Sequence, residues 1–452
     1  MNETSRLAER IAASDLSTAP AAAVVVSKQA LMDFIGVTIA GVNEPLTQIL
    51  LEDAGEQGGF EQARVIGTQH RVSVQQAALI NGSAGHAHDY DDVQSAMTGH
   101  PTVPVAPAVL ALAEHHRCTG AQVIKAFLAG VDTECIVARF AGNSHYQRGW
   151  HSTGTLGTFG AAAAAAVLLQ LDSAQTARAL GIAGTQAAGL KAQFGTMCKP
   201  LHAGHAAATG TQAARLAAKG FSSREDILEV DQGFIETQSS SADPERFDRA
   251  MGQAAFAQDI LFKYHAACYL THSAIEATSL LCQSNLFDPN QIESVTVTVD
   301  EGHFKVCNIP SPRTGLEAKF SLRFTIAMTL AGVDTSSIDI FTDELTQHPQ
   351  LVQLRDKVNV VAHQHQSNNP IVRGSDTLVE ITTTDGAHYQ QAFNVAVPQR
   401  DLELQWQKLE HKFRTLVTPH LGVEQCEEII ALCHNLDRLD DLSPLFDALT
   451  PA

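Results

Sequence analysis

Apolar side chains recur at helical spacing through the first half of the chain. Leu7 and Ile11 begin one stripe, and Leu31, Phe34, Ile35 and Ile39 lay down a second. From Ser5 to about Gly220 this periodicity predicts helix almost throughout. Pro104 and Pro107 are expected to open a helix through PAVLALAEHH, because the first turn has no use for the missing amide. Asp172 followed by Gln175 looks like a capping box ahead of TARALGIAG. Two stretches, Gly160 to Leu169 and His205 to Gly220, are rich in alanine and other small residues, which suits close helix–helix contact. Gly210 inside the second costs about 1 kcal/mol against alanine. A tight neighbour is the expected reason for it.

After about residue 290 the period changes. IESVTVTVD, Ile292 to Asp300, alternates as a half-buried strand does. TLVEITTT and AHYQQAFNVAV flank Asp385-Gly386, a hairpin signal. Helix is expected between them over Leu316 to Gly332 and about Asp343 to Asp356, so the block reads as α+β. Leu402 to Leu449 returns to helix, which suggests that the tail rejoins the first domain. The expected fold is mainly α with an α+β second domain. A large, discontinuous all-helical domain takes 1–265 and 400–452, and a smaller α+β domain takes 266–399.

Composition narrows the function classes. The chain has 452 residues, 44% hydrophobic and 17% charged, a globular balance sufficient for two or three domains. Its formal charge of −19 argues against nucleic acid and anionic membranes as partners, since both require a basic face. The same charge sets a condition on any acidic substrate: its pocket must be locally basic. Eight cysteines lie scattered with no CxxC pair, which disfavours a disulfide framework or zinc ribbon and suits a reducing cytoplasm. MNETSRLAERIAASDLS lacks a signal-peptide pattern, and the longest apolar run, Ala161 to Leu169, is too short to span a bilayer. A soluble, cytoplasmic protein is the expectation.

Residues that could carry chemistry fall in separate segments. GHAHDYDDVQSAMTGHP supplies His86, His88, Asp89, Asp91, Asp92 and His100. On pattern alone it is a metal site, an acid–base site in which carboxylates orient histidines, or a helix end with a solvated acidic loop. His151 precedes a glycine-rich turn that opens a helix, where Ser152 and Thr153 are good N-caps and free amides bind carboxylates. It is either a general acid over a bound anion or, with Trp150, packing at the helix start. Lys199 precedes a proline and is expected in an extended loop between two helices, able to clamp a carboxylate, with His202 and His205 following. FKYHAACYLTH carries Lys263, His265, Cys268 and His272. Cys268 is either a nucleophilic thiol or, more usually on an alanine-rich stretch, a small core residue.

Taken in order, AHDYDD with GHP, GWHSTGTLGTFGA, KPLHAGHAAATG, KYHAACYLTH and EAKFSLRF resemble the MmgE/PrpD family from about residue 80 to 325. The resemblance implies a large helical domain with a smaller α+β lid domain, a homodimer, and neither cofactor nor metal. The family contains 2-methylcitrate dehydratases, cis-aconitate decarboxylases and iminodisuccinate epimerases. The activity implied is that of a lyase or isomerase, abstracting a proton next to a carboxylate of a small di- or tricarboxylate. Carried over position by position, the family site falls on Asp89, His100, His151 and Lys199 as catalytic residues, with Lys263 and His272 binding the anionic substrate. Such a reaction needs a base and a group that holds the developing enediolate. Lysines and imidazoles supply both, together with the local positive field that the overall charge withholds.

Two positions depart from the decarboxylase branch of that family. Where the branch has a threonine after the acidic cluster and a tyrosine in the EAKFS segment, this chain has Val93 and Phe324. The missing hydroxyls argue against decarboxylation of cis-aconitate, while SAMTGHP, HYQRGWH and FGTM are closer to the epimerase branch. Two other readings stay open: a metal-dependent hydrolase built on His86, His88 and Asp89, and a catalytically silent binding paralogue.

Overall fold

A computed structural model describes residues 2–253, 255–284, 287–363 and 376–451. The chain divides into two compact units, one of Met1–Phe262 with Gln399–Ala452 and the other of Lys263–Pro398. The fold is the mainly helical one with a smaller α+β part that the periodicity predicts.

The first unit is helical apart from a short ribbon that pairs Ala63–Arg64 with Arg71–Val72. Val74–Gly85, Thr102–His116, Gly120–Ala141, Ser152–Leu168 and Cys198–Ala218 pack on one another at its centre. Ser152–Leu168 is buried along its whole length, which is why its sequence shows no polar stripe. The small residues let backbones touch. A Cβ at Gly210 would stand 2.5 Å from both the Ala161 Cβ and the Ala162 amide nitrogen. Asp172 and Gln175 form the expected capping box.

The helix expected to open at Pro104 and Pro107 starts earlier, at Thr102, and Pro107 lies inside it. A proline there withdraws one helical amide from the carbonyl four residues back. That carbonyl, of Val103, faces Gly82 of the neighbouring helix, 3.1 Å from where a Cβ would be. The longest apolar element is also not the 161–169 run. Ala21–Gly41 is long and apolar enough to cross a membrane by length and composition, and 78% of its apolar window is buried within the protein. Lys28, Gln29 and Asp33 interrupt it, and each is paired with the C-terminal segment: Lys28 with Asp437 at 2.9 Å, Gln29 with Gln405 at 2.7 Å, Asp33 with Lys412 at 2.6 Å. Those pairs tie the tail, Leu402–His434 and beyond, into the first unit. The tail is kinked at Gly422, which has φ +81°.

The second unit holds a four-stranded mixed sheet in the order Val358–Ala362, Ile292–Val299, Thr377–Thr383, His388–Phe393. The first pairing is parallel and the other two antiparallel. Asp385-Gly386 turns the hairpin, with Gly386 at φ +85°. Tyr269–Gln283 and Leu322–Leu330 pack against the strands around Val295, Val297, Val379 and Ile381. Leu316 to Gly332 is two short helices rather than one, because Ser321 caps the second at the amide of Phe324.

Candidate active site

The geometry of the site begins where two helices cross at glycines. A Cβ at Gly82 would lie 2.8 Å from the Cα of Gly204, so only glycine pairs allow this approach. The crossing brings His86, which follows Val74–Gly85, beside the first turn of Cys198–Ala218, which carries Lys199 and His202. Just after His86 the chain reverses. The amide of Asp89 donates to the His86 carbonyl at 3.2 Å, and Asp89 itself sits at φ +51°. The reversal points Asp91 back at His86.

Asp91 is the hub. Both its oxygens contact Nδ1 of His86, at 2.9 and 3.0 Å, and its Oδ2 lies 2.9 Å from Nδ1 of His100. Burial pushes the Asp91 carboxyl up, but His100 and His86 together outweigh burial and hold it well below the usual carboxylate range. A carboxylate only accepts, so it fixes the Nδ1–H tautomer on His86 and leaves a lone pair on Nε2. That Nε2 is buried and has no hydrogen-bond partner among the described residues. Burial, offset in part by Asp91, takes the His86 pKa down to about 4, so the ring is neutral at pH 7.

His100 is placed by its loop. The amide of Gln94 donates to the Gly99 carbonyl, Thr98 takes φ +52°, and the His100 amide donates to Thr153 Oγ1 at 3.1 Å. Thr153 therefore grips the loop; neither it nor Ser152 is the N-cap. His151 takes that position, with its own amide donating to the Gly189 carbonyl at 3.0 Å. Its ring stacks on His86 at 5.9 Å between centroids, and its Nδ1 is 3.1 Å from Nδ1 of His202. Burial first, then the His86, His100 and Lys199 charges, depress the His151 pKa far below the ordinary imidazole value.

Lys199 differs from expectation in its backbone. It lies in the first turn of Cys198–Ala218 rather than in an extended loop. Pro200 is tolerated there because first-turn amides have no helical acceptor, and this outweighs the pre-proline bias. The Lys199 ammonium is 3.0 Å from Asp89 Oδ1 and 5.7 Å from the centre of the Phe194 ring. The same Asp89 oxygen is 3.5 Å from Nε2 of His100.

Asp89, His100, His151 and Lys199 thus converge in the first unit. Two residues outside the acid–base set expected from the sequence, His86 (named there only as a metal ligand) and Asp91, sit closer to the centre than Asp89, whose side chain is 58% exposed. Only the inward turn of Asp91 singles it out among neighbouring aspartates. Asp92 faces away and accepts from the amide and hydroxyl of Thr102. Lys263 and His272 belong to the second unit, where both are buried. His272 Nε2 meets the Ala267 carbonyl at 3.1 Å. Cys268 packs against that unit's hydrophobic cluster.

His86, Asp89, Asp91 and His100 bring one donor atom each within 4.8 Å of one another, close enough to surround a cation. His88 is not among them. Its Nε2 reaches the Ala40 carbonyl at 3.2 Å, so the triad of His86, His88 and Asp89 does not form. The Lys199 ammonium already supplies a fixed positive charge at Asp89.

The chain thus combines a helical unit, bearing a histidine pair in contact with one buried carboxylate beside a lysine, with a smaller α+β unit. The MmgE/PrpD N-terminal domain model matches residues 5–247 and the MmgE/PrpD C-terminal domain model matches residues 265–438; the chain belongs to the MmgE/PrpD family. Its relatives include the cis-aconitate decarboxylase of Homo sapiens, 27% identical over 93% of this chain and 88% of that protein. The cis-aconitate decarboxylase of Aspergillus terreus is 27% identical over 94% and 91%.

Proposed function

We propose that this protein is a cofactor-independent lyase or isomerase that removes a proton next to a carboxylate of a small di- or tricarboxylate. The observation that carries the reading is Asp91 holding His86 and His100 beside the Lys199–Asp89 pair. In this reading a substrate carboxylate takes over Lys199 from the half-exposed Asp89, and the ammonium stabilises the enediolate as charge develops. His100, in contact with Asp91, and His151, facing His202, exchange the proton. Lys263 and His272 are assigned to substrate binding by correspondence with the family.

Elimination and epimerisation share this first step. Val93 and Phe324 offer no hydroxyl, which favours these two over decarboxylation. The relatives favour decarboxylation as the second reading, since they are cis-aconitate decarboxylases matched along nearly the whole chain. Purified protein incubated in deuterated water with a panel of di- and tricarboxylates separates the three. Deuterium at the α-carbon without net loss marks an epimerase, a new absorbing double bond a dehydratase, and released carbon dioxide a decarboxylase. Absence of all three signals across the panel overturns the proposal.

A further inference from the structure

We infer that His202 is the proton carrier for His151: the buried ring exchanges its proton through Nδ1 with His202, and His202 exchanges it with water. This rests on the proton-transfer reading of the site. His151 is 2% exposed and therefore needs a route for any proton it gains. The facing Nδ1 atoms, 3.1 Å apart, form a hydrogen bond only if one ring carries the proton and the other presents a lone pair. His202, unlike His151, is only partly buried.

The backbone is shaped around the His202 ring. A Cβ at Gly154 would stand 3.1 Å from the His202 Cβ, and one at Gly189 would stand 3.3 Å from its Cγ. Gly189 also takes φ +138° and accepts the His151 amide through its carbonyl. Gly189 thus leaves room for the imidazole and anchors its partner, while Gly154, whose Cβ would stand 2.6 Å from the Ala188 carbonyl oxygen, lets that segment close on the His202 Cβ. Lys199 lies one turn before His202 on the same helix.

The transfer balances. A neutral His151 donates Nδ1–H to the Nδ1 lone pair of His202, whose own proton is on Nε2. When the free nitrogen of His151 takes a proton from substrate carbon, its Nδ1 proton passes to His202, and His202 releases its Nε2 proton to water. The pair ends with donor and acceptor exchanged, and the reverse sequence returns a proton to carbon. The charged and titratable groups around the pair are His86 and His100 on the His151 side, and Lys199 and His205 on the His202 side. All are cationic or neutral, and burial with His205 and Lys199 lowers the His202 pKa as well. Neither ring therefore keeps the proton, which suits transit rather than storage.

The test has an arm that needs no turnover. Long-range proton–nitrogen spectra of 15N-labelled wild-type protein near pH 7 should show one ring of the pair as Nδ1–H and the other as Nε2–H. Both Nδ1 atoms unprotonated overturns the relay. For turnover, His202→Asn keeps a hydrogen-bonding partner for His151 but cannot carry a proton. It should lower kcat roughly tenfold or more with KM nearly unchanged and a displaced pH profile, and added imidazole should restore part of the rate. His388→Gln, at the exposed start of a strand in the second unit, should behave as wild type. Wild-type kcat and pH profile in His202→Asn overturns the relay even where the functional reading stands. Absence of exchange in wild type with any polycarboxylate overturns the functional reading, while the spectrum still decides the hydrogen bond.

Discussion

Asp91 grips the Nδ1 edge of His86 with both carboxylate oxygens, at 2.9 and 3.0 Å, and the pair is buried from solvent. One carboxylate thereby sets the tautomer of His86 and, through its contact with His100, keeps two rings in register. Asp91→Asn retains the shape and removes the charge. An amide also presents its NH₂ or its oxygen with equal ease, so the tautomer is no longer imposed. Turnover should fall by roughly 10²- to 10⁴-fold, the range for losing positioned acid–base catalysis. Steady-state kinetics with circular dichroism on the same sample checks that the loss is chemical. A drop of less than about fivefold would place Asp91 outside the reaction.

Lys199 and Asp89 should separate by parameter. The Lys199 ammonium is 15% exposed and its carboxylate partner 58% exposed, so the ion pair itself contributes little to stability. Lys199→Met should leave the melting temperature nearly unchanged while kcat/KM falls roughly a hundredfold, because the cation that meets the developing charge is gone. Asp89→Asn frees the lysine for substrate at no steric cost and should change kcat/KM by less than about tenfold. Equal losses from both variants would contradict a role for Asp89 as the displaceable partner.

What the sequence made legible follows from how locally each feature is determined. Helical stripes such as Leu31, Phe34, Ile35 and Ile39 are written in one segment and were readable, as was the Asp385-Gly386 turn. Val358–Ala362 was not: it is a five-residue edge strand whose identity depends on parallel pairing with Val295–Val299. The site shows the same division. Its histidines and lysine stand out by type and order, but nothing local says which aspartate of HDYDD turns inward. That is decided by the positive φ at Asp89 and by Thr153 holding His100 from another helix. Lys199 lies in helix rather than loop for a related reason, since helix propagation from the packed residues beyond Pro200 overrides a dipeptide preference.

Gly210 sets two effects against each other. Alanine in a helix interior gains about 1 kcal/mol over glycine. Here the added methyl would stand 2.5 Å from the Ala161 Cβ and the Ala162 nitrogen and 2.7 Å from the Thr158 carbonyl oxygen. These are backbone and first side-chain atoms of a fully buried helix and cannot swing aside. Overpacking of about 1–3 kcal/mol should exceed the propensity gain, so Gly210→Ala lowers stability. Denaturant midpoints of the two proteins decide the sign.

His145, which lies outside the proposed site, is one of the buried histidines that should make the fold acid-sensitive. Its ring is buried between Trp150 and Phe234, and Nε2 meets Thr155 Oγ1 at 2.7 Å. Burial takes its pKa to about 4 in the folded protein, partly offset by the Gln238 carbonyl. Between pH 6.5 and 4 the unfolded chain therefore binds a proton that the folded chain refuses, and stability falls as pH falls through that window. At pH 5, roughly one and a half pH units below the unfolded-state pKa and still above the folded one, the contribution is about 2 kcal/mol. Asp92 and Glu134 act in the opposite sense. Burial raises both carboxyls, so the folded state holds their protons above the range where the unfolded chain loses them. Those contributions are common to wild type and to His145→Phe and cancel in the comparison. The variant should start from a lower denaturant midpoint at pH 7, yet lose less of it than wild type on going to pH 5. Equal losses in the two proteins would mean that His145 is protonated in the fold, with its burial compensated by a neighbour.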